Sequence, residues 1–453
     1  MRRTMVVFIG LALFAVACGS DDTAATADSA AAAVDAAADV ADAAADDADA
    51  DGGSDADAPA ELAGEPAAEA APVTASVPAE CAFGAGLDAV DVEVSQIAGT
   101  PREDTPSGLR DENEFGLFPE PLIDLRRVIS GGPPPDGIPP LDDPNFQTAT
   151  SVDWLQCNEP VLSLVVDGDA RAYPIQIMTW HEIVNDTVGG VPVSVSFCPL
   201  CNSALVYNRD AGNGRIYDFG TSGRLFNSSL VMYDRQTESL WTHFNGQAVH
   251  GELAGTELEL LPVQTTSWEN FLRQNPEGIV LTRDTGFDRS YGNNPYVGYD
   301  DVNSNPFLLD IAPDGQLPPK QRVVALTRGD DSVAIVTDFV SEQGVVTADI
   351  AGTPITVWLQ SGVSSALQTQ IIANGGDVGA TGVFVPEADG QALTFSRTAD
   401  ELFTDAETGS IWDIDGVATE GPLAGTRLEQ VEALDTFWFS IAAFEPDTRI
   451  ING

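Results

Sequence analysis

The sequence predicts a β-rich α+β fold that is internally duplicated, and two observations predict it. Short apolar runs alternate with a period of two and are bounded by glycines, as in Val191 to Phe197 after Gly189-Gly190. This spacing is typical of strands joined by tight turns. A long segment also recurs, because residues 164–205 lie without gaps over residues 326–367. We therefore expect one structural unit to occur twice.

A second block of the repeat agrees more closely than the first. Residues 234–258 recur as residues 405–428, and both copies keep a Thr-x-Ser-x-Trp segment that ends at Trp241 and at Trp412. We assign residues 161–310 to copy one and residues 320–453 to copy two. A fold needs its turns and core in both copies, whereas a site needs its reactive residues in only one.

The start of the chain is typical of an exported protein. Met1-Arg2-Arg3 precedes an apolar stretch from Val6 to Val16, which is too short to span a membrane, and Ala17-Cys18-Gly19 follows. The pattern is similar to a bacterial lipoprotein signal, with residues 1–18 as the signal peptide and Cys18 as the lipidated residue. An ordinary secretory signal is the alternative. We expect the protein on the outer face of the cell membrane, or secreted.

The next two segments are predicted to lack regular structure. Residues 19–80 contain sixteen acidic residues and no Lys or Arg, and such a composition does not offset the entropy of ordering. We predict a disordered acidic tether there. Residues 81–160 are rich in Pro and Gly and predict an irregular wrap. Cys81 and Cys157 are most simply a disulfide that pins this wrap.

The charge of the remaining chain excludes one class of partner. Beyond residue 80 there are 54 acidic and 18 basic residues, a formal charge of −36. Nucleic acid carries the same sign, so we expect none as a partner, and membrane contact only through the N-terminal lipid. Protein and small-molecule partners stay open.

Within copy one, the pattern predicts strands at Val161 to Val166, Ala170 to Ile175, Val191 to Phe197 and Leu230 to Tyr233, with a short helical turn at Trp180 to Val184. The first predicted strand is joined to the second by a turn at residues 167–169. Copy two is expected to repeat this scaffold as a structural partner.

The run Cys198-Pro199-Leu200-Cys201 is the strongest candidate for chemistry. It follows a predicted strand, where backbone N–H groups stabilise a thiolate. Two sulfurs at this spacing chelate a soft metal or close as a disulfide. In the register of the repeat, Cys198 falls on Gln360 and Cys201 on Val363.

The histidines follow the same distribution. His181 falls on Gln343, His250 on Glu420, and His243 near Ile414, so copy two holds no cysteine and no histidine. The leading hypothesis is a copper or zinc site formed by Cys198, Cys201 and His181, with His243 or His250 nearby.

Two other functions stay open, and no catalytic residue is assigned. One is thiol-disulfide redox chemistry with Cys198 as the attacking thiol and Cys201 as the resolving thiol, against which stands an inert structural disulfide. The other is a non-catalytic module that binds a glycan or peptide through aromatics such as Tyr291 and Tyr296. Glu182 suits acid-base chemistry, as does Asp234, but Asp234 recurs in copy two.

Several long motifs taken together resemble one known family. They are Arg171-Ala172-Tyr173-Pro174, Trp180-His181-Glu182-Ile183-Val184-Asn185-Asp186, Cys198-Pro199-Leu200-Cys201, Leu230-Val231-Met232-Tyr233-Asp234-Arg235 and Tyr291-Gly292-Asn293-Asn294-Pro295-Tyr296. They resemble the bacterial and archaeal family called domain of unknown function number 3179, over most of residues 120–453. That family has no assigned reaction, so the resemblance implies no substrate and no cofactor.

Overall fold

The computed structural model describes residues 89–102, 105–110 and 116–453. The predicted signal peptide, the tether, Cys18 and Cys81 lie outside these residues. The described part is β-rich, which confirms the β-rich α+β class. Its α-helices number four and are seven residues long: α1 Ile175–His181, α2 Trp268–Gln274, α3 Thr337–Gln343 and α4 Trp438–Phe444. No helix among the described residues is long and apolar enough to cross a membrane.

The first half, which we define as residues 160–281, contributes most strands of three sheets. Sheet 1 has the order β1 Asp91–Val92, β3 Phe146–Thr148, β15 Ile279–Leu281, β5 Asp169–Pro174, β4 Pro160–Val166 and β14 Gln264–Ser267. Sheet 2 has the order β12 Gln247–His250, β11 Leu240–Thr242, β10 Ser229–Asp234, β9 Phe219–Phe226 and β2 Ile129–Ser130. Sheet 3 has the order β13 Leu260–Leu261, β8 Ser203–Asn208, β7 Val191–Cys198 and β6 Ile183–Val188.

The second half, which we define as residues 322–451, forms four sheets. Sheet 4 has the order β27 Leu434–Phe437, β16 Arg322–Arg328, β17 Asp331–Val336 and β28 Arg449–Ile451. Sheet 5 has the order β18 Val345–Ile350, β19 Thr353–Gln360 and β20 Ala380–Phe384. Sheet 6 pairs β21 Glu387–Ala388 with β22 Gln391–Ala392, and sheet 7 has the order β23 Phe395–Arg397, β24 Phe403–Asp405, β25 Ile411–Trp412 and β26 Ala418–Glu420.

Sheets 1 and 4 share a local arrangement. In sheet 1, β4 pairs antiparallel with β14 and β5, while β5 pairs parallel with β15. In sheet 4, β16 pairs antiparallel with β27 and β17, while β17 pairs parallel with β28. Helices α1 and α3 directly follow β5 and β17 in the sequence. Helix α2 lies between β14 and β15, and helix α4 lies between β27 and β28.

The same buried carboxylate network occurs in sheets 2 and 7. The indole Nε1 of Trp241 donates to Asp234 Oδ2 at 2.9 Å, and that of Trp412 donates to Asp405 Oδ2 at 2.9 Å. In each network the backbone N–H three residues after the aspartate also donates to its Oδ1. Asp234 therefore has a structural environment, as its recurrence in the sequence suggests.

The predicted strands of the first half are confirmed with shifts of one residue at their ends, but the helical turn is misplaced. The helix runs over Ile175–His181, and Ile183 and Val184 belong to β6. The reason is the hairpin with β7, in which Ile183 pairs with Ser196 and Val188 with Val191 across the Gly189-Gly190 turn. Backbone pairing over six residues outweighs one further helical turn.

One hydrophobic core joins the two halves. It contains Val193 and Trp241 of the first half together with Val323 and Phe437 of the second, and Cys198 and Cys201 lie within it. The cysteines are therefore placed where both halves pack together.

Candidate functional site

The two cysteines lie at the two ends of a tight turn between β7 and β8. Cys198 is the last residue of β7 and pairs with Ser203, while Cys201 N–H donates to Cys198 O at 3.2 Å. The sulfurs are 3.0 Å apart, and Cys198 and Cys201 retain 2% and 0% of their accessible surface. Because a disulfide bond is about 2.05 Å long, the two sulfurs would have to approach each other by about 1 Å to form one.

The second half holds this turn in place. The carbonyl oxygen of Cys201 accepts the N–H of Phe437 at 2.9 Å and the Thr436 hydroxyl at 3.0 Å, and both donors belong to β27. The sequence predicts the whole site within residues 161–310, yet β27 of the second half fixes its backbone.

Three buried hydroxyls surround the Cys201 sulfur. Ser203 on β8, Ser229 on β10 and Ser440 on α4 are at most 1% exposed, and their hydroxyl oxygens have no hydrogen-bond partner among the described residues. All three interact with the Cys201 sulfur in a way that favours its charged form. Because a buried hydroxyl without a partner costs about 1–3 kcal/mol, a thiolate that accepts these donors would be stabilised.

This environment shifts the pKa values of the two thiols in opposite directions. Burial alone would raise the pKa of Cys201, but the hydrogen bond from the Cys198 thiol and the nearby dipoles of the three serine hydroxyls outweigh it and lower the pKa. The pKa of Cys198 is raised well above its usual range by burial, by its hydrogen bond to Cys201 and by the charges of Cys201 and Glu182. The pair therefore favours one thiolate, on Cys201.

Glu182 is a buried carboxyl beside the pair. It follows α1, retains 6% of its accessible surface, and accepts the Tyr296 hydroxyl at 3.2 Å. Burial raises its pKa to about 8, the Tyr296 hydrogen bond opposes this rise, and the charge of Cys201 adds to it. Glu182 is thus mostly protonated at neutral pH and able to exchange a proton there.

The backbone of Glu182 is strained. Its φ is 59° and its ψ is −30°, in a region that costs a residue with a Cβ about 1–2 kcal/mol. The repeat register places Gly344 at the same point after α3, where φ is 77° and ψ is −40°. A glycine adopts this conformation without strain, so the strain at Glu182 marks this side chain as a functional candidate.

We expect Glu182→Gly to be more stable than Glu182→Ala by about 1 kcal/mol. Both variants remove the carboxyl, and only the positive φ distinguishes them. Chemical denaturation of the two variants measures the difference. Thr179→Gly and Thr179→Ala, in the body of α1, are the matched control, where alanine should be the more stable. Equal stability of the two Glu182 variants would show that the backbone there is unstrained.

His181 contacts other groups with both ring nitrogens. Nδ1 lies 2.7 Å from Pro139 O, so it carries the proton, and Nε2 accepts the Tyr291 hydroxyl at 2.6 Å. Burial lowers the pKa of His181 to about 4, which keeps the ring neutral. Neither nitrogen is left for a metal ion in this arrangement.

The other two histidines lie on sheet 2 or beside it. The Nε2 atom of His243 lies 3.0 Å from the Ser196 hydroxyl, and burial lowers its pKa to about 3. Ser196 is two residues before Cys198 on β7, so His243 approaches the strand of the pair. His250, on β12, makes an edge-to-face contact with Phe118, with ring centroids 5.1 Å apart.

The described residues contain no cluster of three or more His, Cys, Asp or Glu side chains arranged to hold a metal ion. The distance between the two sulfurs also differs from that of a zinc site. Two thiolate sulfurs that each lie about 2.3 Å from a tetrahedral zinc ion are about 3.8 Å from each other. The pair at 3.0 Å is closer than that. A copper or zinc site therefore stays a prediction that requires rearrangement.

Tyrosines from residues 291–299 close the site. Tyr291 bonds to His181 and Tyr296 to Glu182, and the backbone of this segment pairs with the second half, where Asn294 N–H donates to Gln370 O at 2.8 Å. Tyr291 and Tyr296 were candidate contacts for a glycan or peptide, but here their hydroxyls face inward. The three tyrosines of this segment, Tyr291, Tyr296 and Tyr299, pack against the core that contains the two cysteines.

Cys157 is buried and disulfide-bonded. Its predicted partner, Cys81, lies outside the described residues, so that pairing stays a prediction.

Comparison with known proteins assigns the chain to a family. The family described as Protein of unknown function (DUF3179) matches residues 135–448. The chain belongs to this family. The DUF3179 match includes every residue of the thiol site, from Glu182 to Ser440. No curated protein and no solved structure matches the chain.

Sequence reasoning found the cysteines but not their surroundings. The three serines and the tyrosines come from distant parts of the chain and form no local motif. One signal was available for Glu182, because the gapless register sets it against Gly344 at a helix end, where glycine marks a positive φ.

Proposed function

We propose that Cys198 and Cys201 form a thiol-disulfide redox centre whose reactants are disulfides and dithiols. The observation that carries this proposal is the set of three otherwise unpartnered hydroxyls around Cys201. An inert staple does not need donors directed at one sulfur, whereas a reactive thiolate does. The hydroxyls favour Cys201 as the attacking sulfur and Cys198 as the resolving one, the reverse of the order expected from the sequence.

The reaction balances with a substrate disulfide as the oxidant. The Cys201 thiolate attacks one sulfur of the substrate, a mixed disulfide forms, and the other substrate sulfur leaves as a thiolate that takes the proton of Glu182. Cys198 then loses its proton to the Glu182 carboxylate and attacks the Cys201 sulfur. The Cys198–Cys201 disulfide forms, the second substrate thiolate leaves, and two electrons have passed to the substrate. The reverse sequence oxidises a dithiol.

Glu182 suits both proton steps because its pKa is about 8. It interacts electrostatically with both cysteines, so its charge changes together with theirs. Since both sulfurs are buried, exchange with any reactant requires a local opening of the structure around them.

A copper or zinc site on the same sulfurs is the alternative proposal. It requires a third ligand, and release of His181 Nε2 from Tyr291 would provide one. We also propose that the two halves arose by tandem duplication, which their shared strand order and carboxylate networks support, and that the protein is exported and anchored through lipid on Cys18.

Bound metals and free thiols of the isolated protein, before and after a reductant and an oxidant, test the redox proposal against the metal proposal. We expect no stoichiometric copper or zinc, and reversible loss and gain of two thiols at Cys198 and Cys201. The Cys198→Ser/Cys201→Ser variant is the control and should show no such change. Stoichiometric metal that is absent from the double variant would overturn the redox proposal.

A further inference from the structure

A small cavity lies between the two halves. Its volume is about 50 Å³. The residues that line it include Pro160, Asn202, Thr265, Arg322, Ser364 and Asp435. A water molecule needs about 10–15 Å³ on this measure, so the cavity has room for about three to five waters. A ligand of about five non-hydrogen atoms fits the same space.

The lining residues fall into pairs that the repeat relates. The gapless register sets Asn202 on Ser364. Pro160 and Arg322 are the first residues of the equivalent strands β4 and β16, and Thr265 and Asp435 are the second residues of β14 and β27. Both members of each pair line the cavity. The cavity therefore lies where equivalent positions meet, but both of its ionisable groups come from the second half.

Arg322 and Asp435 both line the cavity. On adjacent strands β16 and β27, Arg322 pairs with Phe437 and Val324 pairs with Asp435. This register makes Arg322 and Asp435 diagonal neighbours on one face, about 7–8 Å apart. Each affects the ionisation of the other, yet the ion pair of Arg322 within the described residues is with Asp300, at 3.4 Å.

Both charged groups have hydrogen-bonding capacity left over. Arg322 uses Nη2 to reach Ser365 Oγ at 2.9 Å, while its Nη1 and Nε make no hydrogen bond to the described residues. The Asp435 carboxylate accepts a single side-chain donor there, the Thr381 hydroxyl at 2.7 Å, although a carboxylate has about four acceptor positions. A cationic donor and an anionic acceptor with unused hydrogen-bonding positions thus line the same cavity.

We propose that this cavity binds a small zwitterionic α-amino acid of the size of glycine, with its carboxylate on Arg322 and its ammonium group on Asp435. Charge-assisted hydrogen bonds of this kind are the strong ones. Val323, Val363 and Ala366 supply apolar wall, which offers no partner to a long polar side chain. The cavity adjoins the thiol turn, because Asn202, which follows Cys201, and Thr436, which donates to the Cys201 carbonyl, also line it.

Calorimetric titration of the full chain with glycine, methylamine and acetate tests this proposal. We expect saturable binding of glycine, and binding of methylamine and of acetate at least tenfold weaker, because each satisfies only one of the two charges. Asp435→Asn should weaken glycine binding at least tenfold, which corresponds to about 1.4 kcal/mol. Asp415→Asn removes a carboxyl of the second half that does not line the cavity and should leave the affinity unchanged.

Three results would overturn the proposal: no glycine binding by the folded parent, equal glycine binding by folded Asp435→Asn, or acetate or methylamine binding as tightly as glycine. Circular dichroism establishes that each variant is folded. If Asp435→Asn does not fold, the comparison of the three probes on the parent decides the question.

Discussion

Replacing Glu182 with glutamine should remove a pH-dependent loss of stability that reaches several kcal/mol in the parent. The pKa of Glu182 is raised from its ordinary 4.5 to about 8, mainly by burial. Between these values the folded protein keeps a proton that the unfolded chain releases, so stability falls as pH rises. At about 1.4 kcal/mol per pH unit, the loss over the window is at most about 5 kcal/mol.

Denaturant unfolding at several pH values between 4.5 and 8 measures this effect. The parent should lose stability relative to Glu182→Gln as the pH rises, and the difference should level off outside the window. Burial also raises the pKa of Asp415 to about 7 and of Asp435 to about 6, but both groups are present in each protein and their contributions cancel. Glu277→Gln, at an exposed position, is the control. Parallel profiles for the parent and Glu182→Gln would contradict a buried, protonated Glu182.

The second large effect is a difference between the two single-cysteine variants. The ordinary thiol pKa range lies at about 8.5. With Cys201 alone, in Cys198→Ser, a hydroxyl replaces the Cys198 thiol and the three serine hydroxyls remain, so we expect a thiolate at a clearly lower pH than with Cys198 alone. With Cys198 alone, in Cys201→Ser, we expect the thiol to stay protonated well above that range, because its pKa is raised mainly by burial. The ultraviolet absorbance of the thiolate follows both titrations without requiring a reagent to enter the site.

Replacing the serine hydroxyls tests whether they lower the pKa of Cys201. Ser203→Ala, Ser229→Ala and Ser440→Ala, each in the Cys198→Ser background, should raise the pKa of Cys201. Ser194→Ala is the control, since Ser194 is also a buried serine on β7 with an unpartnered hydroxyl but does not act on Cys201. Similar titrations in both single-cysteine variants would refute the assignment of the thiolate.

The fold was predictable where the signal is local. Alternation within Val191 to Phe197 and the flanking glycines places β7 correctly, because side-chain period and turn residues act over a few positions. The helix after β5 was misplaced, since its end depends on the pairing of β6 with β7. The helix pattern alone carries no information about that pairing.

The site was predictable only in part, for the same physical reason. The spacing of Cys198 and Cys201 makes them recognisable in the sequence, and the matching positions of the second half hold no cysteine. Ser229 and Ser440 are ordinary serines in the sequence and acquire a role only when α4 joins the core that contains the two cysteines. The histidines were grouped by residue type, but His181 is held by Pro139 and Tyr291, contacts that no spacing indicates.

The reduction potential of the Cys198–Cys201 pair tests the central claim most directly. Equilibration of the full chain in redox buffers, followed by quantitative alkylation and mass analysis, gives the midpoint. Because the hydroxyls stabilise the reduced form, we predict a two-electron midpoint above about −300 mV, which falls in the Ser203→Ala, Ser229→Ala and Ser440→Ala variants. A midpoint below about −300 mV that these substitutions leave unchanged would make the pair a structural staple and contradict the account.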